Sequence, residues 1–410
     1  TAFDALDEQI VIGGPGMVRA AAKNFRDVMV VVDPADYSSV LNTLDDRNNE
    51  SGLFRFSLAK KAFAHTAQYD TTIAAALDAV KVDGSELSRE ALVLDGVVPD
   101  HLTVTARKIQ NLRYGENPHQ EANLYKSANL GSGIINGTQI HGKEMSFNNI
   151  IDGNTAWQIV NDFNDNSCAI IKHANPCGLA SAPSQSDAFQ KAFEGDQVSA
   201  YGGIVAFNNE VDENTVKKMK GIFFELIIAP DFSKDALLRL QKRKDLRIIS
   251  MKDTKYINPK FELKTFAGGY NIQDTDNKED LESNWEIVTE TKPSKEELIN
   301  LKFAWKAIRH VKSNGIILVK NQSIIGLGTG QPNRINSIEI ASKVAGEKAN
   351  DSVLASDAFF PFADNVTLAH SIGVKSIIQP GGSIRDSEVI ALANELNISM
   401  IFTGIRHFKH

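Results

Sequence analysis

The stretch CAIIKHANPCG at residues 168–178 opens a series of short apolar runs that alternate with helical patterns up to the end of the chain. Its apolar run ends at a Lys-His pair followed by Pro and Gly, which predicts a buried strand closed by a turn. Similar runs predict strands at residues 168–171, 203–207, 226–229, 247–250, 315–319, 323–327, 352–355, 376–378 and 399–402. Strands that alternate with helices are typical of βαβ units, so the sequence predicts an α/β fold with parallel or mixed sheets.

Local signals between these strands agree with that fold. Ser294 and Glu297 match the S-x-x-E capping box and predict a helix over residues 295–311. Asn321-Gln322 lies between two apolar runs and predicts a β-hairpin. Residues 187–207 and 335–359 each run from a helix through a strand-like segment to small residues beside aromatics, which suggests an internal duplication.

The first hundred residues predict a separate α/β unit. Strands are expected at residues 9–12 and 28–32, with a glycine turn at 13–16 and a helix at 17–24 between them. Helical patterns follow at 34–44 and 52–80, and the charged stretch 81–90 is predicted to be a linker. We therefore expect a first module over residues 1–100 and a second over 101–410, the second in two parts of roughly 101–290 and 291–410. Because the chain starts on Thr1, it is expected to begin inside a longer polypeptide.

Composition excludes several classes of protein. The net charge of −7 and scattered basic residues without interleaved aromatics argue against a nucleic-acid partner. No apolar stretch approaches the ~20 residues needed to span a bilayer, so a soluble protein with no membrane partner is expected. Two cysteines in 410 residues give neither a disulfide framework nor a zinc knuckle, which favours the reducing cytoplasm.

Lys172 and His173 are the first candidates for chemistry, because they follow a buried strand where open α/β sheets place their ligand crevice. A base and a cation would share one site there. Residues 175–178, Asn-Pro-Cys-Gly, are predicted to form a rigid turn behind the pair, since Pro fixes φ and Gly permits positive φ. Without this context, a Lys-His pair is more often an accident of the surface.

Two glycine-rich segments could bind an anion through backbone amides. Residues 326–331, GLGTGQ, follow a predicted strand and precede a helix, although they lack the dinucleotide and P-loop fingerprints. A tight structural turn is the equal alternative. Residues 380–386, PGGSIRD, repeat the arrangement, and there a helix N-cap by Ser383 is at least as good an explanation.

Two further segments carry polar and aromatic groups. Residues 113–120, RYGENPHQ, are dense in polar groups without amphipathic spacing, which suggests a phosphate-binding loop centred on Arg113, with a solvated connector as the equal alternative. Residues 356–365, SDAFFPFADN, place three aromatics between two acids and suit a flat heteroaromatic ligand such as a pterin, although such a run is more often core. No zinc-ligand spacing is present.

Taken together, these motifs closely resemble one family, the bifunctional AICAR transformylase/IMP cyclohydrolase of purine biosynthesis. AICAR is 5-aminoimidazole-4-carboxamide ribonucleotide. The resemblance covers nearly the whole chain and rests on RYGENPHQ at 113, FNNIID at 147, KHANPCG at 172, SAYGGIVAFN at 199, GLGTGQPNRINS at 326, ASDAFFPFADNV at 355 and RHFKH at the C-terminus.

The resemblance implies formyl transfer from 10-formyltetrahydrofolate to the 5-amino group of AICAR, with Lys172 and His173 as the catalytic pair. His173 would be the general base, and Lys172 would stabilise the oxyanion or protonate the leaving folate nitrogen. Residues implied to bind the nucleotide are Arg113, Tyr114, Asn149, Gly202, Glu225, Asn314, Arg406, Phe408 and His410. Residues implied to bind the folate are Tyr201, Asn333, Arg334, Phe359, Pro361, Phe362, Asp364 and Asn365.

The resemblance also implies an architecture. Part of a methylglyoxal-synthase-like cyclohydrolase module would be followed by two cytidine-deaminase-like α/β subdomains without zinc. A homodimer would share its active sites, and no catalytic metal would be needed. The alternative function is a catalytically silent nucleotide- or folate-binding module, or a dimer partner.

Two departures concern the cyclohydrolase. Lys23 matches a ring-closure lysine of the family, but Val11 stands where relatives usually carry an acid, and the first half of that module has no counterpart in the chain. Valine cannot accept a proton or orient a water molecule. The sequence therefore predicts transformylase activity without cyclohydrolase activity.

Overall fold

The computed structural model describes residues 7–45, 52–78, 80–84, 86–89, 102–127, 130–277 and 280–410. The chain divides into two compact units, Thr1–Ala106 and Arg107–His410. Each unit is described separately.

The first unit is largely helical in the part that the structure describes. Its helices are α1 (Gly13–Lys23), α2 (Tyr37–Asp45) and α3 (Gly52–Asp78), followed by an antiparallel hairpin of β1 (Val80–Asp83) and β2 (Glu86–Arg89). A small core forms where α1 meets α3, around the buried side chains of Ala22, Ala59 and Ala62. Small residues allow the two helices to approach closely at this point.

Three predictions for this unit are wrong. Residues 9–12 and 28–32 are not strands, because no described strand lies beside them to pair with, and Val30 and Val32 pack against the helical core instead. The glycine-rich residues 13–16 are the first turn of α1, where Pro15 fits because an amide there has no helical partner. The charged stretch 81–90 contains β1 and β2 rather than only a linker.

The second unit is built on a 12-stranded mixed sheet with strand order β13-β18-β17-β16-β14-β15-β7-β6-β8-β9-β10-β5. Its strands are β5 (Thr138–His141), β6 (Asn166–Lys172), β7 (Asn175–Ala182), β8 (Gly203–Phe207), β9 (Phe224–Ala229), β10 (Arg247–Ser250), β13 (Glu286–Ile287), β14 (Ile316–Lys320), β15 (Ser323–Gly328), β16 (Val353–Ser356), β17 (Ser376–Gln379) and β18 (Ser399–Phe402). Two separate hairpins pair β3 (Arg107–Leu112) with β4 (Ala122–Lys126) and β11 (Phe261–Phe266) with β12 (Gly269–Asp274). The mixed α/β class predicted from the sequence is confirmed.

Helices cover both faces of this sheet. They are α4 (Phe147–Asn161), α5 (Gln185–Gly195), α6 (Gln197–Ala200), α7 (Glu213–Lys218), α8 (Lys234–Leu240), α9 (Lys295–Ile308), α10 (Arg334–Ala345), α11 (Asp364–Ser371) and α12 (Asp386–Glu395). One face packs against α4 and α9, whose Trp157 and Trp305 belong to a single core. The other face carries α5, α7 and α8 on one half and α10 to α12 on the other half. Because strand residues alternate between the faces, the central strands must be apolar throughout.

The sheet consists of two halves with the same topology, as the repeated residue pattern suggested. In each half an antiparallel hairpin, β6–β7 or β14–β15, is followed by three mutually parallel strands and is flanked at the far edge by an antiparallel strand. The halves join where β15 pairs with β7 at Ser323 and Ala180. The hairpins therefore meet at the centre of the sheet.

A glycine in each half lets a helix approach its hairpin. A Cβ atom at Gly178 in β7 would lie 2.2 Å from the carbonyl oxygen of Ala192 in α5. A Cβ atom at Gly326 in β15 would lie 2.3 Å from the carbonyl oxygen of Ala341 in α10. These glycines serve helix–strand packing, and the contact is the same in both repeats.

None of the described helices combines the length and the apolar character that crossing a membrane requires.

Candidate active site

Lys172 and His173 belong to a two-residue hairpin turn between β6 and β7. Lys172 pairs with Asn175, and the central residues His173 and Ala174 have φ values of 52° and 58°. Two consecutive left-handed residues define a type I′ turn, which matches the twist of the strands that it joins. The predicted turn at residues 175–178 is therefore wrong, because these residues form the start of β7. Pro176 is accommodated there by a bulge at Cys177.

Side-chain contacts fix this turn from two sides. The Asp152 carboxylate on α4 accepts hydrogen bonds from the amides of His173 (3.2 Å) and Ala174 (2.7 Å). The Lys172 ammonium donates to the carbonyl oxygen of Tyr201, just before β8. His173 is exposed, whereas Lys172 is partly buried. The turn thus presents an imidazole to solvent beside an oriented ammonium group.

The position of the turn in the sheet differs from the expected one. β6 runs antiparallel to β8, and β8 runs parallel to β9, so the Lys172–His173 end of β6 lies with the amino ends of β8 and β9. This is the opposite edge from the crevice at the carboxyl ends of parallel strands. Gly202 and Glu225, at the amino ends of β8 and β9, are consequently its neighbours.

A cavity of about 290 Å³ opens beside the pair. Lys172, His173, Cys177 and Asp196 line it from the first repeat, and Ile324 and Leu327 of β15 line it from the second. Burial raises the pKa of the Cys177 thiol to about 12, and the negative charge of Asp196 adds to this effect. The Cys177 side chain therefore lines the cavity as a neutral thiol.

A polar cluster lies near the first turn of α4. Nδ2 of Asn149 donates to Oε2 of Glu225 at 3.1 Å, and Nη1 of Arg247 contacts the same oxygen at 3.3 Å. Burial lowers the pKa of Arg247, the Glu225 carboxylate opposes this, and the positive charge of Arg113 lowers the pKa further. Arg113 also lies 5.5 Å from the Tyr114 ring centroid. The cluster thus brings two guanidinium groups near one carboxylate, an arrangement suited to an anionic ligand.

A second cluster is built around Asp357, which directly follows β16 and is fully buried. Arg334 donates to Oδ1 of Asp357, to Oγ of Ser356 (2.8 Å) and to Oδ1 of Asn314 (2.7 Å). The other Asp357 oxygen accepts from Oγ of Ser313 (2.5 Å) and the Gly315 amide (3.0 Å). The Arg334 guanidinium is therefore occupied within the protein, and it orients Asn314.

Hydrogen bonds connect the Lys172–Asn175 turn to this second cluster. Oγ1 of Thr329 lies 3.1 Å from Oδ1 of Asn175 and 2.9 Å from the carbonyl oxygen of Lys312. The amide of Ser313 then donates to the carbonyl oxygen of Lys409 at 2.8 Å. A continuous path therefore runs from the Lys172–Asn175 turn to the C-terminal segment.

The C-terminal candidates lie close to each other. The Arg406 guanidinium is 4.3 Å from the Phe408 ring centroid, and the rings of Phe408 and His410 are 5.8 Å apart. All three side chains are exposed. Burial lowers the pKa of the neighbouring Lys409, with Glu262 opposing this effect and Lys312 reinforcing it. Arg406 thus stacks on Phe408 within the chain.

The candidate folate residues are placed unevenly. Tyr201 is exposed, with its ring 5.5 Å from that of Phe223, close to Lys172. Phe359 and Pro361 are partly buried, while Phe362 is half exposed and carries the Arg385 guanidinium 4.9 Å from its ring centroid. Asn365 is buried and donates to Oδ1 of Asp364 at 2.8 Å, with its own Oδ1 left without a hydrogen-bond partner in the described structure. Asn333 caps α10 through the amide of Ile335.

The glycine-rich segments are structural where the structure describes their contacts. Gly326 and Gly328 lie within β15 against α10, and a Cβ atom at Gly328 would lie 1.9 Å from the carbonyl oxygen of Ser337. In residues 380–386, the Asp386 carboxylate accepts from the amides of Gly382 (2.7 Å) and Ser383 (3.1 Å). Ser383 does not cap α12, since its hydroxyl accepts from the Arg385 amide. The anion that these amides could have bound is replaced by the protein's own carboxylate.

Three site residues were missed at the level of sequence: Asp152, Arg247 and Asp357. Each stood in or next to a segment that the motifs or the strand predictions covered. Arg247 begins β10 and Asp357 directly follows β16, whereas Asp152 lies within α4. A charged residue at the end of a buried strand requires a partner, which was the available signal for Arg247 and Asp357. Among the described residues, no group of three or more His, Cys, Asp or Glu side chains is arranged to hold a metal ion.

The fold and the site define a class of protein: an internally repeated α/β protein with a Lys-His hairpin turn beside a cavity. The chain belongs to the AICARFT/IMPCHase bienzyme family, whose profile matches residues 21–344. It is 45% identical over 412 residues to the bifunctional purine biosynthesis protein PurH of Caldicellulosiruptor saccharolyticus, covering 100% of this chain and 78% of the relative. It is 47% identical to PurH of Acetivibrio thermocellus (98% and 77%) and of Bacillus subtilis (100% and 77%).

The comparisons do not support the expectation that cyclohydrolase activity is absent. The relatives that match this chain along its length are named as bifunctional enzymes. Lys23 is exposed in the last turn of α1, and the Val11 amide donates to the Tyr69 hydroxyl at 2.8 Å. Position 11 thus has a backbone role that does not depend on an acidic side chain.

Proposed function

We propose that this protein transfers the formyl group of 10-formyltetrahydrofolate to the 5-amino group of AICAR in purine nucleotide biosynthesis. The observation that carries the proposal is the Lys172–His173 turn at the mouth of a cavity, in a chain that belongs to a formyltransferase family. The profile match covers this turn and Asp152, Gly202 and Glu225 around it.

His173 acts as the general base. The substrate amine is a weak nucleophile because its lone pair delocalises into the carboxamide-bearing ring, so its proton must leave as the nitrogen attacks the formyl carbon. An exposed imidazole can approach that nitrogen without displacing a protein partner of its ring. Lys172 stabilises the oxyanion that forms on the formyl oxygen. As this intermediate collapses, the bond from the formyl carbon to the folate nitrogen breaks, and Lys172 supplies the proton that the leaving nitrogen takes up. One of its N–H groups is occupied by the Tyr201 carbonyl, which leaves two for the reacting groups.

The nucleotide occupies the region around Asn149 and Glu225. Arg113 supplies the fork that suits a phosphate monoester, together with Tyr114, and Gly202 gives close backbone access beside Lys172. Asn314, held by Arg334 and by the carbonyl oxygen of Gln331, recognises the carboxamide with His410. Arg406 and Phe408 complete the binding of the nucleotide.

The folate binds against the aromatic segment near Phe359 and Phe362, with Pro361, Asp364, Asn365 and Tyr201 at its edges. A homodimer completes the site. Support for this comes from the exposed apolar surface beside the turn, where Val198 and Tyr201 are 89% and 62% exposed. Exposed apolar patches of this kind mark interaction surfaces.

Consumption of 10-formyltetrahydrofolate measured with and without AICAR tests the proposal. Turnover that requires both ligands is the expected result. Saturable binding of either ligand without turnover would instead identify a silent binding module, and consumption of folate without AICAR would indicate a different acceptor.

The second activity of the family needs its own assay. IMP formation from the formylated product is measured for the same protein and for Val11→Asp. Equal rates would show that an acid at position 11 is dispensable, in line with the backbone contact of Val11 to Tyr69. A rate that rises only in the variant would show that the side chain at this position controls ring closure.

A further inference from the structure

The second repeat contains a copy of the catalytic turn. Lys320 pairs with Ser323 at the β14–β15 turn, and the central residues Asn321 and Gln322 have φ values of 52° and 55°. The Lys320 ammonium donates to the carbonyl oxygen of Asn350 (2.8 Å), just before β16. This contact is equivalent to the one from Lys172 to Tyr201 before β8. The turn geometry and the lysine contact are thus properties of the repeat, not of the reaction.

The helix that holds each turn is also repeated. Asp152 and Asn300 both lie six residues after the N-cap serine of their helix, Ser146 in α4 and Ser294 in α9. Asn300 accepts one hydrogen bond, from the Gln322 amide at 2.7 Å. This matches the bond of the same length from the Ala174 amide to Asp152. One neutral amide oxygen is therefore sufficient to hold such a turn.

Asp152 does more than its counterpart. Its second oxygen accepts from the amide of His173 itself at 3.2 Å, and it brings a negative charge to the base of the turn. Three residues differ between the repeats at this contact: Asp152 for Asn300, His173 for Asn321 and Ala174 for Gln322. The acid and the imidazole are the two that can carry chemistry. The second carboxylate oxygen is thus present in the repeat that carries His173, the residue whose orientation matters.

We propose that Asp152 is a positioning residue for His173, whose carboxylate holds both central amides of the turn so that the imidazole keeps one direction. The inference rests on the proposed formyl transfer. A carboxylate whose two oxygens bond adjacent amides holds the His173 peptide at two points, where the single bond of the second repeat holds its turn at one. Its effect acts through His173 and not through contact with substrate.

The test compares Asp152→Asn with Asn300→Ala in the full chain. Asp152→Asn keeps the acceptor that suffices in the second repeat but loses the bond to the His173 amide. We expect kcat to fall by about tenfold or more while the KM for the nucleotide and the melting temperature stay near the values of the unmodified protein. Asn300→Ala removes the equivalent bond and is expected to lower the melting temperature while leaving kcat within about twofold.

Each outcome decides the matter. Full kcat in Asp152→Asn would overturn the proposal, because one acceptor would then suffice in both repeats. Loss of activity together with a lower melting temperature would also overturn the proposal, because Asp152 would then only stabilise the fold. Absence of formyl transfer in the unmodified protein would refute the proposed function instead, so the two failures are distinguishable.

Discussion

Nη2 of Arg334 donates a hydrogen bond of 2.7 Å to Oδ1 of Asn314, and the same guanidinium binds the buried carboxylate of Asp357. The arginine side chain is only 6% exposed, and its positive charge is paired with Asp357 inside the protein. This contact fixes which way the Asn314 amide faces. Arg334, which the resemblance implied to bind the folate, therefore has its guanidinium bonded to Asp357 and Asn314 within the protein.

Replacing Arg334 by leucine should strongly destabilise the second unit. The substitution leaves Asp357 as an unpaired buried carboxylate, which costs about 3–5 kcal/mol. Urea unfolding checks this, with Arg385→Ala as the matched control. Arg385 contacts Glu388 at 3.8 Å on the surface, where loss of a pair costs less than about 1 kcal/mol. Similar unfolding midpoints for the two variants would contradict the prediction.

Replacing His173 by alanine should lower kcat by about 10²-fold or more, because the general base is removed. Nucleotide affinity should change little, since the turn is held through backbone amides and not through the imidazole. Asn321→Ala changes the same turn position in the second repeat and should leave kcat intact. Steady-state kinetics and equilibrium binding separate the two effects. A fall in affinity with normal turnover at saturation would make His173 a binding residue.

Both cysteines should resist thiol reagents in the folded protein, although Cys177 lines the cavity. Burial raises the pKa of Cys177 to about 12 and that of Cys168 well above its ordinary value. The thiolate is the reactive species, so little of it exists at pH 8. Alkylation by iodoacetamide at pH 8, followed by mass spectrometry, should be slow until urea unfolds the chain. Rapid modification of Cys177 in the folded protein would show that its thiol ionises readily.

Continuous apolar runs predicted the central strands well. β8, β10 and β18 have the predicted bounds. Their inner residues are apolar because both faces of each strand are buried. The β14–β15 hairpin at Asn321 was also predicted. β7 was missed, since Pro176 and Gly178 within it have the composition of a turn. A bulge and a close helix contact, which depend on distant residues, explain both.

The candidate site was predictable in its residue types but not in its connections. The Lys172–His173 pair stood out because it follows a buried strand. Its support by Asp152 could not be foreseen, because the contact uses backbone amides 21 and 22 residues away that no side-chain pattern marks. The burial of Arg334 could not be predicted for the same reason. Its partner Asp357 can be recognised only in the folded sheet, where β14 pairs with β16.

Asp162, at the C-terminus of α4, should make stability depend on pH in the acid range. Burial raises the pKa of its carboxyl group, but the bonds and charges of His310 (2.5 Å) and Arg309 (2.7 Å) lower it more, from 3.8 to about 2. A folded-state pKa below the unfolded one stabilises the protein above pH 3.8, and that stabilisation is lost as the pH falls towards 2. The side chain is 15% exposed, so the effect is about 2 kcal/mol.

The variant Asp162→Asn isolates this effect. It removes the titrating group, so the variant should lose less stability than the unmodified protein between pH 4 and about 2, whatever its stability at neutral pH. Urea midpoints followed by tryptophan fluorescence measure the slope, because all three tryptophans, Trp157, Trp285 and Trp305, lie in the second unit. His310 must be considered separately. Burial lowers the pKa of His310 despite the opposing charge of Asp162. The stability that the neutral imidazole contributes is therefore lost as the pH falls below 6.5, a higher pH range than that of Asp162. Equal slopes for both proteins below pH 4 would show that Asp162 is not held ionised by Arg309 and His310.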